Sequence, residues 1–317
     1  MIVTVTMNAA LDRILTVPNF ERGHRHRSSE RLTLAGGGGI TVARALKCLG
    51  VPVVATGLAG GRNGRRILEE LAEEAILNDF VRIEDESRTS TAVADPMTGS
   101  LTQVLEWGPL VHAVEIEVLM EKIDYLAGAA QMVVFAGSLP RGVDDGFYAD
   151  AIRKLNRRGI PTVLDSEGEP LRSGLEAEPF LVSPNQAEAE AVVGQEFSDE
   201  SDFLAALDRL GDLGAKNVLI SYETGCFAAL REERGQPKRY RAAAPQLEAV
   251  SRIGSGAVLL AGFIAAWLEN AGPLEALRRA VATGAASTLD IGPGRFDPRA
   301  VGPILPDVVV SELTPVA

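Results

Sequence analysis

Residues 253–263 read IGSGAVLLAGF, a Gly-Ser-Gly turn that runs straight into an apolar stretch. Glycines at 254 and 256 let the backbone turn tightly with its N–H groups facing inward. The apolar run that follows reads as a buried helix whose first N–H groups lack helical partners. Those donors and the helix dipole suit an anion. The stretch is therefore either a cradle for a phosphate or a developing oxyanion, or an ordinary tight turn before a buried helix. It is not a P-loop, because no Gly-Lys-Ser/Thr follows at the required spacing.

Upstream, short continuously apolar runs each stop at small or polar residues. Residues 132–135 end at Ala136-Gly137-Ser138, 161–164 at Asp165, 180–182 at Ser183-Pro184-Asn185, and 218–220 at Ser221. Between them lie helical patterns, over 148–155 and after Asp199, where Phe203, Leu204, Leu207 and Leu210 form a stripe that Asp199 can cap. Downstream, 274–289 is helical. The N-terminal third repeats the rhythm, with a strand over 1–7 and the run AGGGGITVARALKCLG at 35–50. In that run Ile40, Ala43, Leu46 and Cys48 or Leu49 share a helical face, and Gly50 is a stop. A strand follows in VPVVATGLAG, then a helix over 65–75.

Continuously apolar strands between amphipathic helices imply an α/β fold with a mainly parallel sheet covered on both faces, its ligands bound beyond the strands' carboxyl ends. The glycine and polar clusters sit at those ends. Residues 87–108 break the pattern and read as two strands joined by a Pro/Gly turn. With residues 8–34 they form a small β lid on a single domain spanning 1–317.

Composition excludes several functions. The 317-residue chain is 46% hydrophobic and carries a formal charge of −12 without a long basic run, which argues against a nucleic-acid partner. Small basic clusters such as Arg22, Arg25 and Arg27 leave a local anion site open. Cys48 and Cys226 provide neither a disulfide framework nor a metal spacing, and His24, His26 and His112 make no metal motif. The longest apolar run, 257–268, is too short for a bilayer. No signal-peptide pattern opens the chain, so the expectation is a soluble cytoplasmic protein.

Several motifs occur together in order. Asn8-Ala9-Ala10-Leu11-Asp12 is followed by Phe20-Glu21-Arg22-Gly23 leading to Arg27, then Ala35-Gly36-Gly37, Gly39-Ile40 and Val42-Ala43-Arg44. Arg88-Thr89 and Glu106-Trp107-Gly108-Pro109 bracket the lid segment. Gly137-Ser138-Leu139-Pro140-Arg141-Gly142, Asp165-Ser166-Glu167-Gly168, Pro184-Asn185 with Glu188, and Gly254-Ser255-Gly256 complete the set. Together they resemble the ribokinase-like, or pfkB, family of carbohydrate kinases over almost the whole chain, within the branch of 1-phosphofructokinase and tagatose-6-phosphate kinase.

The resemblance implies a ribokinase-like Rossmann-type three-layer sandwich with a β-sheet lid through which a homodimer forms. It also implies ATP-dependent phosphoryl transfer to a ketohexose phosphate with magnesium. By the same resemblance Asp12, Gly36 and Gly37 hold sugar hydroxyls beside Ser138. Arg27 and Arg88 meet the existing phosphate, Asn185 and Glu188 organise nucleotide phosphates and, indirectly, magnesium, and Ser221, Gly225, Gly254 and Gly256 line the nucleotide site. Carboxylates accept hydroxyl protons and guanidinium groups match phosphate oxygens, so the chemistry is consistent.

The chain departs from the family at its reactive centre. Ala257, next to Gly254-Ser255-Gly256, stands where the family has the aspartate that takes the hydroxyl proton. Gly38 replaces a lysine, Thr41 an asparagine and Ser183 a lysine. Tyr222, Glu223 and Thr224 shorten the usual Leu-Gly-x-x-Gly loop, and Arg252 replaces a small hydroxyl residue. General base catalysis is worth about 10²–10⁴-fold in rate. The chain is therefore either a kinase with altered catalysis or substrate, or a noncatalytic sugar-phosphate or nucleotide-binding protein on the same fold. Asp12, Asp165 and Glu223 are the acids that could replace the missing base.

Overall fold

The computed structural model describes residues 1–231 and 235–313. The first strand, β1 (Ile2–Thr6), is buried along its full length. Ile2 points into one core cluster while Val3 and Val5 point into another, the two-residue alternation of a strand covered on both faces. The chain then leaves the main sheet to build β2 (Ala10–Thr16) and β3 (Glu30–Gly36), and returns through helix α1 (Gly38–Cys48). Gly50, beyond the end of α1, adopts φ +76° and closes the helix by donating to the Lys47 carbonyl.

Strand β4 (Val53–Gly60) leads into α2 (Gly61–Glu73), and β5 (Leu77–Ile83) reaches one edge of the main sheet. The helix α2 begins one turn earlier than the apolar pattern predicts. Its glycine-rich first turn is anchored from a distance, with the Asn63 amide donating to the Glu86 carboxylate at 2.5 Å. Strands β6 (Arg88–Asp95) and β7 (Ser100–Leu105) pair antiparallel, and β6 runs parallel to β2. The four strands make a separate sheet in the order β3-β2-β6-β7. Its small core is Ile14, Leu34 and Ala92, with Ile253 packed against it.

The remaining chain alternates through α3 (Ala113–Ala127), β8 (Met132–Ala136), α4 (Phe147–Asn156), β9 (Thr162–Asp165), α5 (Gly168–Leu175), β10 (Leu181–Val182), α6 (Gln186–Val193) and α7 (Glu200–Asp212). It then runs through β11 (Val218–Tyr222), β12 (Gly225–Leu230), β13 (Lys238–Ala243), α8 (Ser255–Leu268), α9 (Pro273–Ser287), α10 (Val301–Ile304) and β14 (Val309–Leu313). The ten-stranded order is β14-β13-β12-β11-β10-β9-β8-β1-β4-β5. All pairings from β5 to β11 are parallel, and β11 through β14 pair antiparallel, an edge the sequence pattern does not predict.

The two core clusters give three layers. Leu46 of α1, Leu71 of α2, Ile264 of α8 and Leu277 of α9 cover one face of the sheet. Leu119 of α3, Ile152 of α4, Leu171 of α5 and Leu207 of α7 cover the other. No described helix is long and apolar enough to cross a membrane.

Candidate active site

Two cavities lie beyond the carboxyl ends of the parallel strands. The larger, about 900 Å³, is bordered by Asp165 at the end of β9, by Asn185 and Glu188 of the α6 N-terminus, and by the β11–β12 turn. The smaller, about 240 Å³, lies under the lid between Asp12, Arg88 and Ser90. Gly254 and Ala257 border both, so the N-terminus of α8 is the wall the two cavities share.

The turn before α8 has the character its sequence suggests. Gly254 is left-handed, with φ +76°. The Ser255 amide donates to the Arg252 carbonyl at 3.3 Å, and the first bond of the helical ladder is Val258 N to Gly254 O. The Gly256 and Ala257 amides precede that bond and so belong to the first turn, whose amides have no partner within the helix. Ser221, at the end of β11, stands close by. A β-carbon on Gly256 would lie 3.5 Å from its hydroxyl oxygen.

Asn185 and Glu188 brace one another. The Glu188 amide donates to the Asn185 side-chain oxygen at 3.0 Å, and the Asn185 amide donates to the Glu188 carboxylate at 2.8 Å, a reciprocal cap on α6. Burial pushes the Glu188 carboxyl up to about 7, with Glu167 adding repulsion against the Asn185 hydrogen bonds. Burial and the nearby Glu188 push Asp165 up to about 8. Both side chains border the large cavity, and their oxygens are of the kind a hard cation such as magnesium takes once a bound cation draws off their protons. No group of three or more His, Cys, Asp or Glu side chains among the described residues is placed to hold a metal outright.

In the smaller cavity, Asp12 of β2 and Ser90 of β6 are register partners and share a face of the lid sheet. Burial pushes the Asp12 carboxyl up to about 6, against the pull of Arg88, Ser90 and Arg44. Gly36 is the residue on which Asp12 rests, since a β-carbon there would stand 2.0 Å from a carboxylate oxygen. Arg88 donates to the Asn8 carbonyl at 3.3 Å and to the Glu106 carbonyl at 3.2 Å, which fixes the guanidinium between the lid and the sandwich.

The structure brings most of the sequence-derived residues together. Asp12, Gly37 and Arg88 border the small cavity, and Asn185, Glu188, Ser221, Gly225, Gly254, Ser255, Gly256 and Ala257 border the large one. Arg27 does not join them within this chain. It is exposed in the loop between β2 and β3 and borders neither cavity. Ser138 also borders neither, and its hydroxyl accepts from the Asn8 side chain at 3.2 Å. Ser90, Gln103 and Arg13 border the small cavity without having been singled out in the sequence. Their signal is the β2–β6 and β6–β7 register, which only the folded lid reveals.

Several departures have local structural counterparts. At Gly38 a β-carbon would lie 2.7 Å from the Ala136 carbonyl carbon and the Gly137 nitrogen, so the main chains have closed over the space a longer residue needs. Thr41 turns its hydroxyl back to the Gly37 carbonyl at 3.1 Å. Tyr222 and Gly225 pair directly, making a tight two-residue turn of Glu223 and Thr224.

A family model described as pfkB family carbohydrate kinase matches residues 3–299. The chain is a member of the pfkB family of carbohydrate kinases. This pfkB protein is 29% identical to a 1-phosphofructokinase of Borreliella burgdorferi over 290 residues, covering 91% of this chain and 92% of the relative. It is 27% identical to a tagatose-6-phosphate kinase of Staphylococcus epidermidis, covering 99% and 100%. A solved structure described as a possible 1-phosphofructokinase from Thermotoga maritima superposes with a TM-score of 0.90 at 26% identity, covering 99% of this chain and 100% of that one. The pfkB protein therefore has the ribokinase-like α/β sandwich its motifs imply.

Proposed function

We propose that this pfkB protein binds ATP in the large cavity and a phosphorylated ketohexose in the small one, and transfers the γ-phosphoryl group to a sugar hydroxyl. The observation that carries the reading is the shared wall, where Gly254 and Ala257 border both cavities. A phosphoryl group at the α8 N-terminus would face both the nucleotide and the sugar. A volume of about 900 Å³ is within the range of cofactor and nucleotide pockets.

In this reading Arg88 neutralises the sugar's existing phosphate, Asp12 holds its hydroxyls, and the amides of Gly256 and Ala257 stabilise charge on the transferring group. Asn185, Glu188 and Asp165 would hold magnesium through water and phosphate, and the ion would neutralise phosphate charge. Catalysis then rests on positioning and fixed dipoles more than on an aspartate at 257.

The proposal includes a homodimer through the lid. β7 is an edge strand with every residue exposed; its Val104 and Leu105, with Trp107 just beyond its end, present apolar surface. Light scattering during gel filtration tests this, with a monomer at micromolar concentration as the contrary result.

One observation favours a second reading, in which the protein binds these ligands without turnover. Ala257 offers no acid–base group at the shared wall. The deciding experiment measures ADP formation from magnesium-ATP across a panel of ketohexose phosphates, with Ala257→Asp alongside. Sugar-dependent turnover by the native chain supports the kinase. Binding by calorimetry without turnover, with activity appearing in Ala257→Asp, supports the binding protein. Binding of neither ligand overturns both.

A further inference from the structure

A hydroxyl that attacks phosphorus must give up its proton. Ala257 cannot take it, so the question is which side chain around the sugar cavity can. Arg13 and Arg88 are cations, and Thr41, Ser90, Thr91 and Gln103 are neutral donors and acceptors with no basic form near neutral pH. Asp12 is the one carboxylate bordering the small cavity among the described residues.

The other acids are held elsewhere. Glu223 lies at the mouth of the large cavity and is paired with Arg252 at 3.0 Å. Asp165 and Glu188 border the large cavity, on the nucleotide side, and do not border the small one.

Building on the kinase reading above, we infer that Asp12 is the proton acceptor in this protein, displaced from the helix terminus to the lid. The step balances without any further reactant. The sugar oxygen forms a bond to the γ-phosphorus of ATP as the bond from that phosphorus to the β–γ bridging oxygen breaks. The electron pair leaves with ADP, and the hydroxyl proton passes to an Asp12 oxygen. Two details fit this role. The carboxylate rests against Gly36, where no side chain stands between it and the chain that leads into α1. Burial also pushes its carboxyl up to about 6, so it is basic yet ionised at neutral pH. The charged groups acting on it are Arg88 from β6 and Arg44 from α1, with Glu106 and Glu167 acting in turn on Arg88.

The test measures kcat and KM separately for the full-length protein between pH 5 and 9, with magnesium-ATP and the best ketohexose phosphate of the panel. Asp12→Asn, Ala257→Asp and the double variant are run beside it, and thermal unfolding checks that each is folded. The expected kcat of the native chain falls on the acid side of pH 6. Asp12→Asn loses about 10²–10⁴-fold in kcat and loses that acid limb, while calorimetry still detects sugar-phosphate binding. Ala257→Asp in the Asp12→Asn background restores turnover, because it supplies a carboxylate at the opposite wall.

An Asp12→Asn protein with raised KM and unchanged kcat would reduce Asp12 to a hydroxyl ligand and overturn the assignment while leaving the kinase standing. Failure of the double variant to recover would do the same. A native chain that binds both ligands without turnover overturns the assignment together with the kinase reading. Should Asp12→Asn fail to fold, the native pH profile decides, and a kcat flat from pH 5 to 7 overturns the proposal.

Discussion

Arg252 donates a single guanidinium nitrogen to both the carboxylate of Glu223, at 3.0 Å, and its main-chain carbonyl, at 3.2 Å. Both residues depart from the family pattern, and they are joined across the large cavity, Arg252 just before α8 and Glu223 in the β11–β12 turn. The acidic and the basic side chain offset one another at the border of the large cavity, where the nucleotide is proposed to bind.

Removing one partner should therefore change nucleotide affinity more than stability. Both side chains are more than half exposed, so the pair is worth about 0–1 kcal/mol to folding. Arg252→Ala leaves Glu223 uncompensated and should weaken magnesium-ATP binding roughly two- to fivefold, while Glu223→Gln frees Arg252 and should tighten it by a similar factor. Calorimetric titration at low and high salt checks this, and high salt should erase most of both effects. Equal affinity in all three proteins at low salt would remove the pair from the nucleotide's surroundings.

The pH dependence of stability follows from the buried carboxylates. Asp165 is pushed up to about 8 and Glu188 to about 7, above ordinary carboxylate values. A group raised in the folded state favours folding while protonated, below its unfolded value near 4, and that contribution is lost as pH climbs through the folded value. Thermal stability should accordingly decline between pH 5 and 9 because of these two groups. Asp165→Asn should unfold at a temperature that gains on the native chain as pH rises. A difference that stays constant across this range would show that Asp165 ionises normally.

Which parts of this protein are legible in the sequence follows from where each signal resides. The strands from β8 to β11 are apolar runs broken by turn residues, and Asp199 is followed by a helical stripe. Both patterns are local and correspond to observed elements, with Asp199 accepting from the Ser201 and Asp202 amides. The Gly254–Ala257 turn was legible because glycine spacing and a following apolar run suffice to specify it. The last antiparallel pairing, β13 with β14, is not, because its register depends on partners far apart in the chain, such as Arg239 opposite Leu313. The start of α2 was hidden for a similar reason, since Glu86 caps it from beyond the next strand. Arg27 carries a motif-level signal, but nothing in its neighbourhood dictates where an exposed loop side chain rests.

Arg44 should matter to stability out of proportion to its place in a helix. Its guanidinium is buried, donates to Glu74 at 2.6 Å, and also reaches the carbonyls of Ala35 at 2.8 Å and Pro293 at 2.9 Å. One side chain thus ties α1 to the end of lid strand β3, to the end of α2 and to the loop packed on Gly254. Arg44→Ala leaves the Glu74 carboxylate only its longer pairing with Arg295 at 3.6 Å, takes the donor from two carbonyls, and should cost about 3 kcal/mol. Arg44→Lys keeps the charge without the fork and should fall between. Urea unfolding measures both, and a loss under about 1 kcal/mol for Arg44→Ala would mean that water replaces the lost bonds.

Gly36→Ala separates the sugar site from the nucleotide site with a single methyl group. Gly36 lies in an ordinary strand and its backbone is not left-handed, so alanine is acceptable to the main chain. The new methyl would nevertheless occupy a point 2.0 Å from an Asp12 carboxylate oxygen, and the carboxylate is the softer of the two. Folding stability should fall by about 1–3 kcal/mol, toward the low end because the carboxylate can turn aside. Sugar-phosphate affinity should fall by roughly tenfold or more, since a lost hydrogen bond to a charged group is worth about 1.5–3 kcal/mol. Magnesium-ATP affinity should stay at its native value, because Gly36 and Asp12 do not border the large cavity. Parallel titrations with the two ligands make the comparison. A variant that binds the sugar phosphate normally would show that Asp12 takes no part in holding it. A variant that loses both ligands would show instead that the lid and the sandwich move as one body when Asp12 is displaced.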